Sequence, residues 1–317
     1  MEVLIKKEEE PGDLGYYPEE RPIEYHIKYG IVNLDKPSGP TSHQVTSWVA
    51  NILNVRKAGH SGTLDPRVTG VLPIGLQFAT KVLHVLLLSG KEYIALMHLH
   101  KKVEEERIKE IMKRFVGEII QTPPVRSRVK RVPRKRKVYY LDIIEINGKD
   151  VLFRAGVQAG TYIRKLCDDI GRELGVGAHM EDLRRTKVGP FNEEERLVTL
   201  QDLSDAWYFY KEEGKEKFLR YCIFPVEKAV ELLPKVWVTD AAVASITKGA
   251  QLAAPGIVKL HKEIKKGDMV AIMSLKDELV ALARAQRDGE EMLKASRGIV
   301  CKLERVVLPQ HLYNPKR

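Results

Sequence analysis

At 317 residues the chain is long enough for more than one hydrophobic core, and its 44% hydrophobic content excludes a disordered polyelectrolyte. Fifty-three Lys and Arg against 43 Asp and Glu leave a net charge of +10, which makes a polyanion the first partner to consider. The three cysteines, Cys167, Cys222 and Cys301, lie far apart without a C-x-x-C pair, which excludes a disulfide framework and a zinc ribbon and points to a reduced, cytoplasmic protein.

The first 20 residues carry two bases against seven acids, and Pro11, Gly12 and Pro18 break any regular element. This start is too acidic for a signal peptide, and the longest apolar run, 82–88, is too short to span a membrane. The acidic segment is expected to pack on the basic C-terminal end, with Val3, Leu4 and Ile5 adding a strand or an apolar patch; the alternative is a solvated tail. After a capping Thr or Ser near 41, Val45, Trp48, Val49, Ile52 and Leu53 share one face of a helix. Residues 91–100 form an apolar run of strand length. A helix follows, with acids at 104–106, Ile108, Ile111, Met112 and Phe115 on one face, and Gly117 past its end.

Eight of the 12 residues in 126–137 are Lys or Arg, and Pro123, Pro124 and Pro133 forbid a continuous helix, so an exposed basic loop is predicted, either a solvated linker or a phosphate contact. Asn147 and Gly148 between two apolar runs predict a hairpin with a primed turn. Thr161 is placed to cap a helix burying Ile163, Leu166, Cys167, Ile170 and Leu174, and two more helical stretches follow between about 202 and 233. After Pro234 the texture turns to short strands around one helix between Asp240 and Gly249, a mostly β module with 15 bases against nine acids. The whole predicts an α+β fold with a mixed-direction sheet and a small β module: an N-terminal extension 1–24, a main domain 25–234, a β domain 235–310 and a tail 311–317.

Residues 59–75, GHSGTLDPRVTGVLPIG, hold four glycines, two prolines and one carboxylate, unlike a helix or strand interior. The run lacks the Lys-Ser/Thr pair of a P-loop. On local physics Asp65-Pro66 reads as a helix start; the functional alternative is a single carboxylate on a rigid glycine-lined loop. Arg164 and Lys165 stand in a first helical turn, where the helix dipole disfavours cations. His98 and His100 share one strand face without a third metal ligand, so no metal is expected, and GVGAH at 175–179 is not a dinucleotide loop.

Taken together, LDKPSGPTSHQV (34–45), GHSGTLDPRVTGVLP (59–73), KEYIALMHLH (91–100), GTYIRKLCDDIG (160–171) and HMEDLRRTKVG (179–189) closely resemble the TruB-type pseudouridine synthases. The form of the second motif is similar to that of their dyskerin branch, the catalytic subunits of box H/ACA guide-RNA particles. The segments KGAQLAAPGIV, IKKGDMVAIM and GIVCKLERVV resemble a PUA RNA-binding module. The resemblance implies isomerisation of uridine to pseudouridine without a cofactor. It makes Asp65 the catalytic carboxylate, Arg164 the cation that orients it, and Tyr93 the ring that stacks on the flipped uracil. Lys36 and Pro37 would form a supporting loop at the substrate site, Leu183 and Tyr162 would line it, and His60 would stand near the place vacated by the flipped base. Arg126, Arg128, Lys130 and Arg131 would contact RNA from a thumb that closes over substrate.

The partners implied are guide RNA, substrate RNA and small proteins of the particle. The absence of long Lys-rich tails makes the archaeal form the expectation, without a nuclear address. Two alternatives stand beside this reading: the same chemistry on a tRNA loop without a guide, and a non-catalytic RNA scaffold.

Overall fold

A computed structural model describes residues 1–123 and 132–314. The larger part of the chain runs through β1 (Val3–Ile5), α1 (Ile23–Lys28), β2 (Gly30–Lys36), α2 (Ser42–Ile52), β3 (Ala58–His60), β4 (Thr69–Leu76), α3 (Leu83–Leu88), β5 (Lys91–Leu99) and α4 (Glu105–Arg114). It continues through β6 (Gly117–Gln121), β7 (Arg134–Asn147), β8 (Asp150–Val157), α5 (Ile163–Glu173), β9 (Ala178–Val188), β10 (Phe191–Asn192), α6 (Leu200–Glu213), α7 (Glu216–Cys222) and β11 (Ile223–Pro225). The C-terminal part adds β12 (Lys235–Val238), α8 (Asp240–Thr247), β13 (Leu252–Ala253), β14 (Ile257–His261), β15 (Met269–Met273), β16 (Leu279–Ala285), α9 (Gly289–Lys294) and β17 (Ile299–Val306).

Among the described residues, ten strands form one sheet along the path β11-β2-β4-β9-β5-β8-β7-β6, with β3 on β4 and β10 on β9. The β4–β9 pairing is parallel and its neighbours are antiparallel, the mixed sheet expected for an α+β fold. Seven strands form the second sheet, ordered β1-β14-β12-β15-β16-β17-β13. Its first strand is the N-terminal segment, with Val3 opposite His261 and Ile5 opposite Lys259. The Lys6 ammonium also donates to the carbonyls of Met292 and Leu293 at the end of α9, at 2.9 and 2.7 Å.

The two sheets share a core. Trp237, Met273, Leu279, Leu282 and Val307 pack in one buried cluster with Tyr29, Val82, Leu83, Phe191, Phe224 and Val230. Beside it, buried Arg21 donates two hydrogen bonds to the Glu227 carboxylate at 2.9 and 2.7 Å, and Glu227 accepts from the Leu279 N–H at 2.8 Å. The apolar seam holds the two parts in one orientation.

Several local expectations are corrected. Asp65-Pro66 starts no helix: Val68 N–H donates to Asp65 C=O at 3.0 Å, closing a tight turn. The second half of that glycine-rich run is a strand after all. Gly70, with φ +101°, lets β4 approach β9 so closely that a Cβ there would lie 2.2 Å from the Arg185 carbonyl oxygen. The predicted basic loop becomes strand from Arg134 onward, pairing with β6, because its alternation puts Arg134 and Arg136 half-buried and Lys135 and Lys137 outward. Arg126, Arg128, Lys130 and Arg131 lie outside the described residues.

The hairpin turn is shifted by one residue. Asn147 pairs with Asp150, leaving Gly148 at φ +63° as the first turn residue. Trp48 turns outward at 43% exposure, while Val45, Val49 and Leu53 are buried. Helix α5 is preceded not by a capping Thr161 but by Tyr162, because the Thr161 hydroxyl donates to Gln158 C=O at 2.8 Å.

Candidate active site

The loop that carries Asp65 is held from beneath by the motif at 34–45. Lys36 is fully buried, and its ammonium donates to the carbonyls of Pro37, Pro66 and Val68 at 2.8, 2.9 and 2.9 Å. A buried cation of this kind is tolerable only because its three protons are matched by acceptors. Burial and the neighbouring Arg185 lower its pKa, while Asp65 pulls it upward. Gly39 N–H donates to Pro66 C=O at 2.9 Å, and the buried Ser42 hydroxyl bonds both the N–H and the carbonyl of Leu64. Leu64 and Val68 sink into the core on either side. The turn therefore has its apolar ends buried and its carboxylate turned outward, with the Asp65 side chain 54% exposed.

Arg164 lies 99 residues away in sequence, in the first turn of α5, and its guanidinium donates to Asp65 Oδ2. No side chain caps this helix. The Gln121 amide instead holds the Tyr162 backbone, accepting from its N–H at 3.0 Å and donating to its carbonyl at 3.2 Å, which ties the helix start to β6. Both partners of the Asp65–Arg164 pair are about half exposed, so it contributes little to stability. What it supplies is orientation: one carboxylate oxygen is fixed by a charge-assisted bond, and among the described residues Oδ1 accepts none.

Tyr93 stands on β5, opposite Arg185 of β9 and Ala155 of β8. Arg185 is a site residue that the motif comparison passed over. It is 2% exposed, donates to Val71 C=O at 2.9 Å and Gly62 C=O at 3.3 Å, and lies close enough to the Tyr93 phenol to couple to it electrostatically. Burial lowers its pKa and Tyr93 raises it. One side chain thus joins the tyrosine, β4 and the loop leading to Asp65. The clue was Arg185 in strand alternation with Leu183, a cation on the face that should be buried.

Leu183 is 9% exposed and lies opposite Ala95, in the same core as Leu64 and Val68, against which Tyr93 packs. His60 accepts from Gly62 N–H at 3.3 Å and meets His43 edge to face, with ring centroids 4.9 Å apart. Burial, then His43 and Arg185, push its pKa down to about 4, so it is neutral at neutral pH. Pro37 is exposed, whereas Lys36 is out of reach of a substrate, so Lys36 supports the loop only. His98 bonds Asp150 at 2.7 Å and His100 bonds His179 at 3.1 Å, away from these residues.

This arrangement presents one oriented carboxylate, and Tyr93 packs against the same core as the flanking Leu64 and Val68.

Comparison with known proteins agrees. Residues 50–106 match the model of the TruB family pseudouridylate synthase N-terminal domain, 164–231 the tRNA pseudouridylate synthase B C-terminal domain, 234–307 the PUA domain and 1–46 the DKCLD domain. The probable tRNA pseudouridine synthase B of Pyrococcus furiosus is 60% identical over 314 residues, covering 98% of this chain and 92% of that protein. Its counterpart in Nanoarchaeum equitans is 58% identical, covering 98% and 89%. Among solved structures, a Cbf5-Nop10-Gar1 complex superposes with a TM-score of 0.95 at 60% identity, covering all of this chain and 96% of the matched one. An H/ACA ribonucleoprotein bound to a substrate RNA containing 2′-deoxyuridine superposes at 0.93 and 58%, covering 98% and 96%. The chain therefore belongs to the TruB family of RNA pseudouridine synthases, in the dyskerin-type branch with a C-terminal PUA domain.

Proposed function

We propose that this chain isomerises uridine to pseudouridine in RNA at positions chosen by a guide RNA, as the catalytic subunit of a box H/ACA ribonucleoprotein. In this reaction the bond from N1 to C1′ breaks, the uracil turns, C5 joins C1′ and loses its proton, and N1 gains one. No atoms are added and no electrons are transferred, so the chemistry falls to side chains alone. The flipped nucleotide enters beside Asp65, whose free oxygen meets the reacting nucleoside while Arg164 holds the other. Tyr93, opposite Arg185 on the neighbouring strand, stacks on the uracil, and Leu183 closes the apolar side. The observation that carries this reading is the Asp65–Arg164 pair, assembled from distant segments onto a buried scaffold.

The solved relatives contain Nop10, Gar1 and substrate RNA, and corresponding small partners are proposed for this chain. No helix among the described residues is long and apolar enough to cross a membrane. A cytoplasmic particle is the location that this reading implies. A second reading, a tRNA enzyme that needs no guide, is suggested by sequence relatives known as probable tRNA pseudouridine synthase B.

One assay separates the two: pseudouridine formation in a guide-matched RNA and in a tRNA, each with and without guide and partners. Formation only with the guide supports the first reading. Unguided modification of tRNA alone supports the second. No product in any arm overturns both.

A further inference from the structure

Two strands of the large sheet are bulged at the level of Tyr93. On β9 the pairing with β5 skips Thr186, since Glu92 lies opposite Lys187 and Tyr93 opposite Arg185. On β7 the pairing with β8 skips Tyr139, since Val138 lies opposite Val157 and Tyr140 opposite Gly156. One carboxylate joins the two irregularities. Glu92 Oε1 accepts from the buried Thr186 hydroxyl at 2.7 Å, and Oε2 accepts from the Tyr140 hydroxyl. Tyr140 stands two strands from Glu92, about 10 Å across the sheet, so its ring must lie over β8 to reach the carboxylate. Gly156 makes that crossing possible, because a Cβ there would lie 2.2 Å from the Tyr140 ring. Burial, then the bond to Glu92, pushes the pKa of Tyr140 up to about 12, so its hydroxyl remains a donor at neutral pH.

We infer that Glu92 is a positioning residue for Tyr93, its carboxylate strapping β9, β5 and β7 together so that the bulge at Thr186 holds Tyr93 and Arg185 in register. This rests on the role given to Tyr93 in the functional reading above and deepens it. By strand alternation Glu92 lies on the face opposite Tyr93, so it touches no reacting atom and acts through the backbone. The bulge matters because side chains alternate along a strand with a period of two: a slip of β9 by one residue against β5 would turn Arg185 to the other face. Arg185 is also where β9 meets β4, pairing with Gly70 and donating to the carbonyls of Val71 and Gly62. The loop through Gly62 leads to Asp65, so the register that the strap sets is the register between tyrosine and carboxylate. Only an acid suits this place, since a carboxylate accepts from both hydroxyls whereas a glutamine amide offers one acceptor oxygen.

The test is single-turnover pseudouridine formation by the chain assembled with guide RNA and its small protein partners, read as the rate at saturating substrate RNA and, separately, as substrate affinity. Glu92→Ala should lower that rate at least about tenfold with affinity unchanged. Tyr140→Phe, which keeps the ring on Gly156 and removes only the hydroxyl, should lower it less, and Thr186→Ser should restore what Thr186→Val loses. Adding Tyr140→Phe to Glu92→Ala should lower the rate no further, because the bond it removes is already gone. A purely structural strap would lower the unfolding midpoint and leave the saturating rate of the folded particle at the wild-type value. That result overturns the inference, and so does a double variant in which the two losses add. If Glu92→Ala does not fold, Tyr140→Phe and the Thr186 pair decide by the same criterion. Wild-type particles that form no pseudouridine overturn the functional reading and this inference with it, whereas an active wild type beside equally active variants overturns the inference alone.

Discussion

Ser42 and Leu64 exchange two hydrogen bonds through one hydroxyl: Ser42 Oγ donates to Leu64 C=O at 3.1 Å and accepts from Leu64 N–H at 2.8 Å. Leu64 directly precedes Asp65, so a buried serine 22 residues upstream sets the direction of the carboxylate. Ser42→Ala should cost about 2 kcal/mol in denaturant unfolding, because two buried backbone groups lose their partner. Single-turnover pseudouridine yield should fall about tenfold as Asp65 loses its position, with RNA affinity unchanged.

Asp65→Asn keeps the shape of the turn and removes the charge. Turnover should fall roughly a thousandfold or more, to background, while guide-RNA affinity holds, since phosphate contacts supply most of it. Arg164→Ala should lose about a hundredfold, because the carboxylate remains without its orienting cation. Substantial residual turnover in Asp65→Asn would be a falsifier of its catalytic role.

Arg185 makes the opposite trade. It is a buried cation hydrogen-bonded to two carbonyls beside the Tyr93 phenol, with no carboxylate among its hydrogen bonds. Replacing it by Met should leave stability within about 2 kcal/mol of wild type, since desolvating the unpaired charge is itself costly. Turnover should nevertheless fall at least about tenfold as Tyr93 loses its anchor. Unfolding midpoints and single-turnover rates on the same sample separate the two effects.

Acid should weaken the fold partly through His26. It is 1% exposed, with Nε2 bonded to Ile223 C=O at 2.9 Å and no partner for Nδ1 among the described residues. Burial first, offset in part by that bond, brings its pKa down to about 4. The unfolded chain takes up the proton near pH 6.5 and the folded chain only near 4, so this contribution is present above 6.5 and is lost as the pH falls between the two. The loss is about 3 kcal/mol. His26→Gln, which keeps a donor near Ile223, should lose less stability than wild type between pH 7.5 and 4.5 in urea titrations.

The N-terminal strand should stabilise the C-terminal sheet. Lys6→Met removes the ammonium that caps the carbonyls ending α9 and should speed hydrogen exchange in β14 and α9. Deleting residues 1–7 should do so more strongly. Unchanged exchange in both variants would mean that the pairing contributes nothing to stability.

Much was legible before any fold was drawn. The period of Val45, Val49 and Leu53 gave one helix, the run at 91–100 gave β5, and the excess of basic residues pointed to a polyanion, because these signals are local or compositional. The motifs also supplied Asp65, Tyr93 and Arg164 through family resemblance. What stayed hidden depends on distant partners. Asp65-Pro66 has the local chemistry of a helix start, and only Lys36, Ser42 and Gly39 pulling on the loop from another strand and helix make it a turn. Glycine-rich residues 69–76 became a central strand because Arg185 of β9 demanded a neighbour without a Cβ at Gly70. Arg185 is buried because β9 pairs with β5 on one side and β4 on the other, a placement that no local signal carries. Sequence determines which chemistry each segment carries, since that is written in side chains. Tertiary structure alone decides which groups meet, since Asp65 and Arg164 are joined by packing across 99 residues and by no local periodicity.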